Sequence, residues 1–100
     1  MAKRKIVWSS KAKIDLFHIL EYFYIRNGSK TYSVKLNLRI RRAIRLLSNH
    51  LLLGLKSDVE NVRVLVEGDY AIFYQVDNET IRITTIWDCR QNPDNLTTPK

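Results

Sequence analysis

The fold is decided by residues 62–89, which read VRVLVEGDYAIFYQVDNETIRITTIWDC. Apolar and polar residues alternate in the first and last parts of this stretch, and a period of two is typical of strands with one buried face. The tripeptides EGD and DNE between these parts are turn signals. The stretch therefore predicts an antiparallel meander of three strands, at 62–66, 70–76 and 80–89.

Two amphipathic helices are predicted upstream of the meander. After a β-prone run at residues 5–8, Ser9 or Ser10 offers a side-chain oxygen to the free N–H groups of a helix start. Apolar residues then recur at helical spacing as far as Gly28, and a second helix follows Ser29. The residues predicted to face the core are Ala12, Leu16, Phe17, Ile19, Leu20, Phe23 and Tyr24 in the first helix and Tyr32, Leu36, Ile40, Ala43, Ile44 and Leu47 in the second.

Together these elements predict an α+β fold in the order β-α-α-β-β-β. Both helices are expected to pack on one face of a mainly antiparallel four-stranded sheet. The length suits one domain, and no stretch rich in proline, glycine and serine divides the chain. We assign that domain to residues 1–92 and expect a loosely ordered tail at 93–100, where two prolines lie among polar residues.

The composition excludes several classes of protein. The single cysteine, Cys89, forms neither an internal disulfide nor a cysteine zinc site, which indicates a reducing compartment. Every apolar run is far shorter than the ~20 residues of a membrane span, and no export signal is recognisable. We therefore expect a cytoplasmic protein without a membrane partner. No motif for a metal or another cofactor is present, so we expect none.

Positive charge is concentrated in one part of the chain. Residues 1–57 contain thirteen Lys and Arg residues against Asp15 and Glu21, a net charge of +11, whereas residues 58–100 carry −4. Such a basic block favours a polyanionic or acidic partner. The candidate contact residues are the cations Lys35, Arg39, Arg41, Arg42, Arg45 and Lys56, with Val34 and Leu38 as apolar residues among them.

An ordered set of residues is similar to a known family. Trp8 and Ala12 precede a basic second helix, and Gly54 lies in the connection to the meander. The meander then contains the tripeptide GDY at 68–70, a tyrosine four residues later and the closing run WDCRQNP at 87–93. In this order the residues resemble the RelE/ParE superfamily of toxins from bacterial type II toxin-antitoxin systems, and the resemblance covers most of the chain.

The resemblance implies a growth-arresting toxin that an acidic antitoxin wraps and silences in a hetero-oligomer. RelE-like members act as mRNA interferases, which cut messenger RNA on the ribosome, whereas ParE-like members bind and inhibit DNA gyrase. The superfamily is also linked to plasmid stabilisation. We slightly favour the ribosome-dependent RNase because of the positive charge and two arginines on or beside the meander, and gyrase inhibition is the close alternative. A catalytically inert module that binds a protein or RNA is the third hypothesis.

Arg63, Arg90 and Tyr70 are the candidate catalytic residues of the nuclease. RNA cleavage without a metal needs a base, an acid and cations on the phosphorane, and arginine makes bidentate phosphate contacts. The plainer alternatives are an ion pair of Arg63 with a nearby acid and a core position for Tyr70. By strand alternation Arg63 and Arg82 point to the same side of the sheet. Ala71 stands where many nuclease members carry arginine.

Overall fold

Two helices cover one face of a five-stranded sheet in the computed structural model, which describes residues 4–90. The α+β class and the placement of the helices are therefore confirmed. The predicted tail at 93–100 and both ends of the domain assigned to 1–92 lie outside the described residues. In chain order the elements are β1 (Lys5–Trp8), α1 (Ser10–Asn27), α2 (Thr31–Leu46), β2 (Leu55–Lys56), β3 (Val62–Glu67), β4 (Tyr70–Val76) and β5 (Thr80–Asp88).

The order of strands across the sheet is β1-β5-β4-β3-β2. β1 runs parallel to β5, and the other neighbours are antiparallel, so the predicted meander forms the middle of the sheet. The additional strand is β2, whose Leu55 and Lys56 pair with Val64 and Arg63 of β3. Two residues are too few to produce an alternating pattern, which is why the sequence did not indicate this strand.

A bulge in β5 changes which side chains face the helices. Phe73 pairs with Thr85 and Tyr74 pairs with Ile83, so Thr84 is an extra residue on β5. The strand therefore changes face after Ile83, and Trp87 packs on the side of the sheet away from the helices. The period of two that we predicted for the last strand of the meander, at 80–89, is wrong at this point.

The predicted common side for Arg63 and Arg82 is also wrong. Arg63 lies opposite Tyr74, whereas Arg82 lies opposite Gln75. Because Tyr74 and Gln75 are neighbours on one strand, their side chains point to opposite faces. Arg63 is thus on the helix side of the sheet and Arg82 is on the other side.

The main core lies between the helices and the sheet. Ile40 and Ile44 of α2 and Ile72 and Ile81 of the sheet are almost completely buried, and each such side chain contributes roughly 1.5–3 kcal/mol. Three residues predicted to face this core are instead exposed, because the buried stripe of each helix is narrower than the arc predicted from the sequence. They are Phe17 (60% exposed), Tyr24 (45%) and Tyr32 (42%).

The corner between β1 and α1 is fixed by Ser9, as predicted. Its Oγ accepts a hydrogen bond from the Ala12 N–H at 3.0 Å and donates to the carbonyl of Thr84 at 3.0 Å. α1 ends at Gly28, whose φ of 65° suits glycine. Neither helix in residues 4–90 is long and apolar enough to cross a membrane.

Candidate functional site

Arg90 lies just beyond β5 and makes a bidentate ion pair with Asp88. Its Nε donates to Oδ1 at 3.0 Å and its Nη2 to Oδ2 at 2.8 Å, while its backbone N–H donates to Oδ1 at 2.9 Å. Nη2 also donates to the Tyr70 hydroxyl at 3.3 Å. Asp88 and Tyr70 are paired across the sheet, so the end of β5 brings all three side chains together.

Two aromatic rings lie beside the same guanidinium. The Arg90 Cζ lies 5.4 Å from the centroid of the Phe23 ring and 5.9 Å from that of Tyr70. The ring of Phe23 also meets that of Tyr32 edge-on at 4.8 Å. We call Arg90, Asp88, Tyr70 and Phe23 the Arg90 cluster. Its contacts join the end of β5 to both helices.

The cluster holds one cation, one anion and one neutral phenol at neutral pH. The hydrogen bond from Arg90 lowers the pKa of the Asp88 carboxyl, and the same carboxylate raises the pKa of Arg90. Burial raises the pKa of Tyr70 to about 12, although the charge of Arg90 acts in the opposite direction. A phenol with this pKa is a weak proton donor at neutral pH.

Arg63 is bound to the connection between α2 and β3. Its Nη1 donates to the carbonyl of Gly54 at 2.7 Å, rather than to a nearby acid as in the plainer alternative. The Tyr74 hydroxyl accepts from the Gly54 N–H at 2.8 Å and donates to the Leu51 carbonyl at 3.0 Å. Arg63 also lines a cavity of about 390 Å³ beside Lys56, its neighbour across the β2–β3 pair.

The three candidate catalytic residues do not meet at one site. Tyr70 and Arg90 are in contact, but Arg63 lies opposite Tyr74, four residues further along β4. At the usual strand rise, four residues correspond to about 13 Å. The structure therefore brings two of the three residues together and places the third about 13 Å away along the strand.

The cations of α2 point in several directions. Arg39 forms an ion pair with Glu67 at 3.3 Å and lies against Gly68 in the turn between β3 and β4. Arg41 donates from Nε to the Asn37 Oδ1 at 2.9 Å, and its Cζ lies 5.0 Å from the centroid of the Trp8 ring. Within residues 4–90, no acid forms an ion pair with the remaining exposed cations of the predicted set, which are Lys35, Arg42, Arg45 and Lys56.

An apolar groove runs between the outer surfaces of α1 and α2. Phe17, Tyr24 and Val34 line it, and its volume is about 350 Å³. Val34 and Leu38 are exposed, as expected for contact residues. Sequence reasoning missed Phe17 and Tyr24 as surface residues because their helical spacing is the same as that of the core residues. Lys30 and Glu21 are charged residues of the lining.

The sheet face away from the helices is mainly apolar in its centre. Val62, Val64, Ala71 and Phe73 form a second cluster there with Trp87. Ala71, the position where many nuclease members carry arginine, lies opposite Trp87 in this cluster. In the described part of the chain, no three His, Cys, Asp or Glu side chains are grouped closely enough to hold a metal ion.

Comparison with protein families gives one match over most of the chain. A model described as the ParE toxin of the type II toxin-antitoxin system, parDE, matches residues 6–93. The curated proteins include no significant match.

Several solved structures share the fold. The chromosomal ParDE toxin-antitoxin system from P. aeruginosa has a chain that is 23% identical with a TM-score of 0.74, and the match covers 84% of this chain and 94% of that one. The YoeB dimer from Staphylococcus aureus is 20% identical with a TM-score of 0.55, covering 84% and 94%. The E. coli DinJ-YafQ complex gives 16% identity and a TM-score of 0.52, covering 85% and 91%.

Proposed function

The chain belongs to the ParE toxin family of type II toxin-antitoxin systems, and we propose that it arrests bacterial growth by binding and inhibiting DNA gyrase. From the sequence alone the ribosome-dependent nuclease is slightly favoured. The observation that changes our preference is the separation of the three candidate catalytic residues. Arg63 lies about 13 Å along β4 from the Arg90 cluster, by the usual strand rise.

The state of each candidate residue also gives little support to RNA cleavage. A bidentate phosphate contact needs two guanidinium donors on one edge, but Nε and Nη2 of Arg90 already donate to the carboxylate of Asp88. The pKa of about 12 makes Tyr70 a weak acid catalyst at neutral pH. Ala71 supplies no cation on the helix-free face. Bidentate binding of a phosphate through Nε and Nη2 would therefore require Arg90 to leave Asp88.

Surface chemistry supports a protein target instead. Phe17, Tyr24 and Val34 form an exposed apolar groove, and Leu38 continues it along α2. Aromatic and aliphatic anchors with arginines at the edge are typical of protein–protein interfaces. Lys30 supplies a positive charge in the lining of this groove. We expect growth arrest to depend on this surface.

We also propose a cognate acidic antitoxin as the partner that silences the toxin. The similar chains from P. aeruginosa and E. coli belong to toxin-antitoxin systems or complexes. The net charge of +7 favours fast association with an acidic chain. Such a pair is a hetero-oligomer in the reducing cytoplasm.

The test is to add the purified protein to two reactions in parallel. We expect it to block supercoiling by DNA gyrase and to leave messenger RNA intact on translating ribosomes. Phe17→Ser in the groove should weaken the gyrase effect, whereas Val66→Ser, which changes an exposed apolar residue of β3, is the matched control. Both variants need an unchanged circular dichroism spectrum.

The nuclease remains the second candidate because Arg63 and Lys56 lie side by side in a cavity. Cleaved message, together with normal supercoiling and loss of cleavage in Arg63→Ala or Arg90→Ala, would replace gyrase inhibition with RNA cleavage. Normal growth after induced expression without an antitoxin would contradict both toxin activities.

A further inference from the structure

Arg63 and Lys56 form a pair of like charges near one edge of the sheet. They lie directly opposite each other in the β2–β3 pair, so their side chains share one face. Like charges in this arrangement repel and lower the stability of the sheet. Neither cation forms an ion pair with an acid in residues 4–90. An anion placed between the two side chains would relieve this repulsion.

The guanidinium of Arg63 is held in place and still has unused donors. Nη1 donates to the Gly54 carbonyl, and the Gly54 N–H donates to the hydroxyl of the fully buried Tyr74, which fixes that carbonyl. Among the described residues, Gly54 is the only hydrogen-bond acceptor of the Arg63 side chain. Nε and Nη2 therefore stay available. Together they form the guanidinium edge that matches the two oxygens of a carboxylate.

The cavity beside these two cations has aliphatic walls. Its volume of about 390 Å³ is near the lower end of the roughly 300–1,000 Å³ that is usual for small-molecule sites. In the described part of the chain, its apolar lining consists of leucines and valines alone, namely Leu51, Leu52, Val59, Val62 and Val76. A nucleobase binds by stacking on aromatic rings, which this lining does not offer. The walls therefore suit a compact aliphatic group.

We propose that this cavity binds a branched aliphatic carboxylate, with the carboxylate between Arg63 and Lys56 and the aliphatic group on the leucine and valine walls. A leucine, isoleucine or valine with a free carboxyl group has this chemistry, either as the free amino acid or as the last residue of a protein chain. Glu60 in the lining separates these two sources, because it attracts the ammonium group of a free amino acid. The inference goes beyond gyrase inhibition and does not depend on it.

A phosphate group is the alternative anion for these two cations. A phosphate monoester carries up to about two negative charges at neutral pH, so Glu60 repels it more strongly than it repels a carboxylate. The phosphodiester of RNA carries one charge, but polar sugars flank it on both sides. Aliphatic walls directly beside the cations do not match such sugars. Both observations favour the carboxylate.

The experiment is an NMR titration of the purified, isotope-labelled chain with N-acetyl-L-leucine. We expect the Arg63 Nε–H signal and the amide signals of the cavity lining to shift, with a Kd of about 1 mM for a ligand of this size. N-acetyl-L-leucinamide lacks the charge and N-acetylglycine lacks the aliphatic group, so each should bind at least about tenfold more weakly. Free L-leucine adds the ammonium group: tighter binding than that of N-acetyl-L-leucine identifies the free amino acid as the source, and weaker binding identifies a chain end.

Two exposed lysines give a matched pair of variants. Lys56→Gln removes one of the two cations that face the ligand, so it should weaken binding of N-acetyl-L-leucine about fivefold. Lys35→Gln changes the net charge equally, but Lys35 is outside the cavity lining, so affinity should change by less than about twofold. Both lysines are exposed, so we expect both variants to fold. Arg63→Gln should weaken binding at least about tenfold if its circular dichroism spectrum is unchanged.

Three results would overturn the inference: no binding of N-acetyl-L-leucine, equal binding of its amide, or equal affinities in the two lysine variants. Uridine monophosphate is the nucleotide probe in the same titration. Tighter binding of this nucleotide than of N-acetyl-L-leucine would assign the cavity to RNA instead. The measurement contains neither gyrase nor ribosomes. A negative result therefore leaves gyrase inhibition standing, and failed gyrase inhibition leaves the carboxylate site testable.

Discussion

Replacing Tyr74 with phenylalanine removes one oxygen atom but should lower the free energy of unfolding by the contribution of two hydrogen bonds. The Tyr74 ring is completely buried, and its hydroxyl bonds both the Gly54 N–H and the Leu51 carbonyl. Tyr74→Phe leaves both backbone groups without their partner, at roughly 1–3 kcal/mol for each buried group. Because Leu51 is only half-buried, we expect a total loss of about 2–4 kcal/mol, near the lower part of the summed range.

Urea denaturation followed by circular dichroism measures this loss directly. With a denaturant slope of about 1–3 kcal/mol per molar, the unfolding midpoint of Tyr74→Phe should fall by roughly 0.7–4 M. Tyr22→Phe is the control because Tyr22 is exposed, and it should change stability by less than about 0.5 kcal/mol. Equal midpoints for the two variants would refute the role of the Tyr74 hydroxyl.

A double-mutant cycle extends the same test to Arg63. Tyr74 binds the N–H of Gly54 and Arg63 binds its carbonyl, so both hold the same residue of the connection. Once one substitution has removed a hydrogen bond to Gly54, the second should lower the free energy of unfolding by less than it does alone. The coupling energy between Arg63→Ala and Tyr74→Phe should therefore be at least about 0.5 kcal/mol. Strictly additive losses would show that Arg63 does not share this structural role.

Two further predictions concern Gly68 and Tyr70. Gly68→Ala and Gly28→Ala should cost similar amounts in urea denaturation: both glycines have positive φ, and a methyl group at Gly68 meets only the end of the flexible, half-exposed Arg39 side chain, which is free to turn away. A difference of more than about 1 kcal/mol between the two losses would contradict this. With its pKa raised from 10.0 to about 12, Tyr70 should give stability that is complete below pH 10 and falls as the pH rises through 12, because the unfolded phenol ionises first. Absorbance titration of the unsubstituted protein and of Tyr70→Phe should detect one phenol that ionises well above pH 10 in the unsubstituted protein alone. Ionisation of Tyr70 near pH 10 would refute the prediction.

The sequence predicts the meander well because its turns and its alternation agree with each other. The prediction fails at Thr84, where a single extra residue reverses the faces that follow. The letters do mark this bulge, because the consecutive Thr84 and Thr85 interrupt the alternation between Ile83 and Ile86. The error is local, yet it decides which face Trp87 occupies.

The candidate site was harder to predict from the sequence than the fold was. The pair of Asp88 and Arg90 has a sequence signal, since acid and arginine stand two residues apart at a strand end. The bond from Arg63 to Gly54 has none, because it depends on where β2 pairs with β3. Phe17 and Leu16 are neighbouring apolar residues of α1, and only the packing of α2 decides which one is buried.

The parallel pairing of β1 with β5 also affects the order of folding during synthesis. Lys5 pairs with Thr80, so β1 cannot pair with β5 until residues 80–88 have been synthesised. Contacts between such distant residues slow folding because a long loop must close first. Until then the apolar side of Ile6 and Trp8 has no strand beside it. The sheet of the nascent toxin therefore stays incomplete through most of its translation. A chaperone or antitoxin is able to bind the unpaired first strand during that interval.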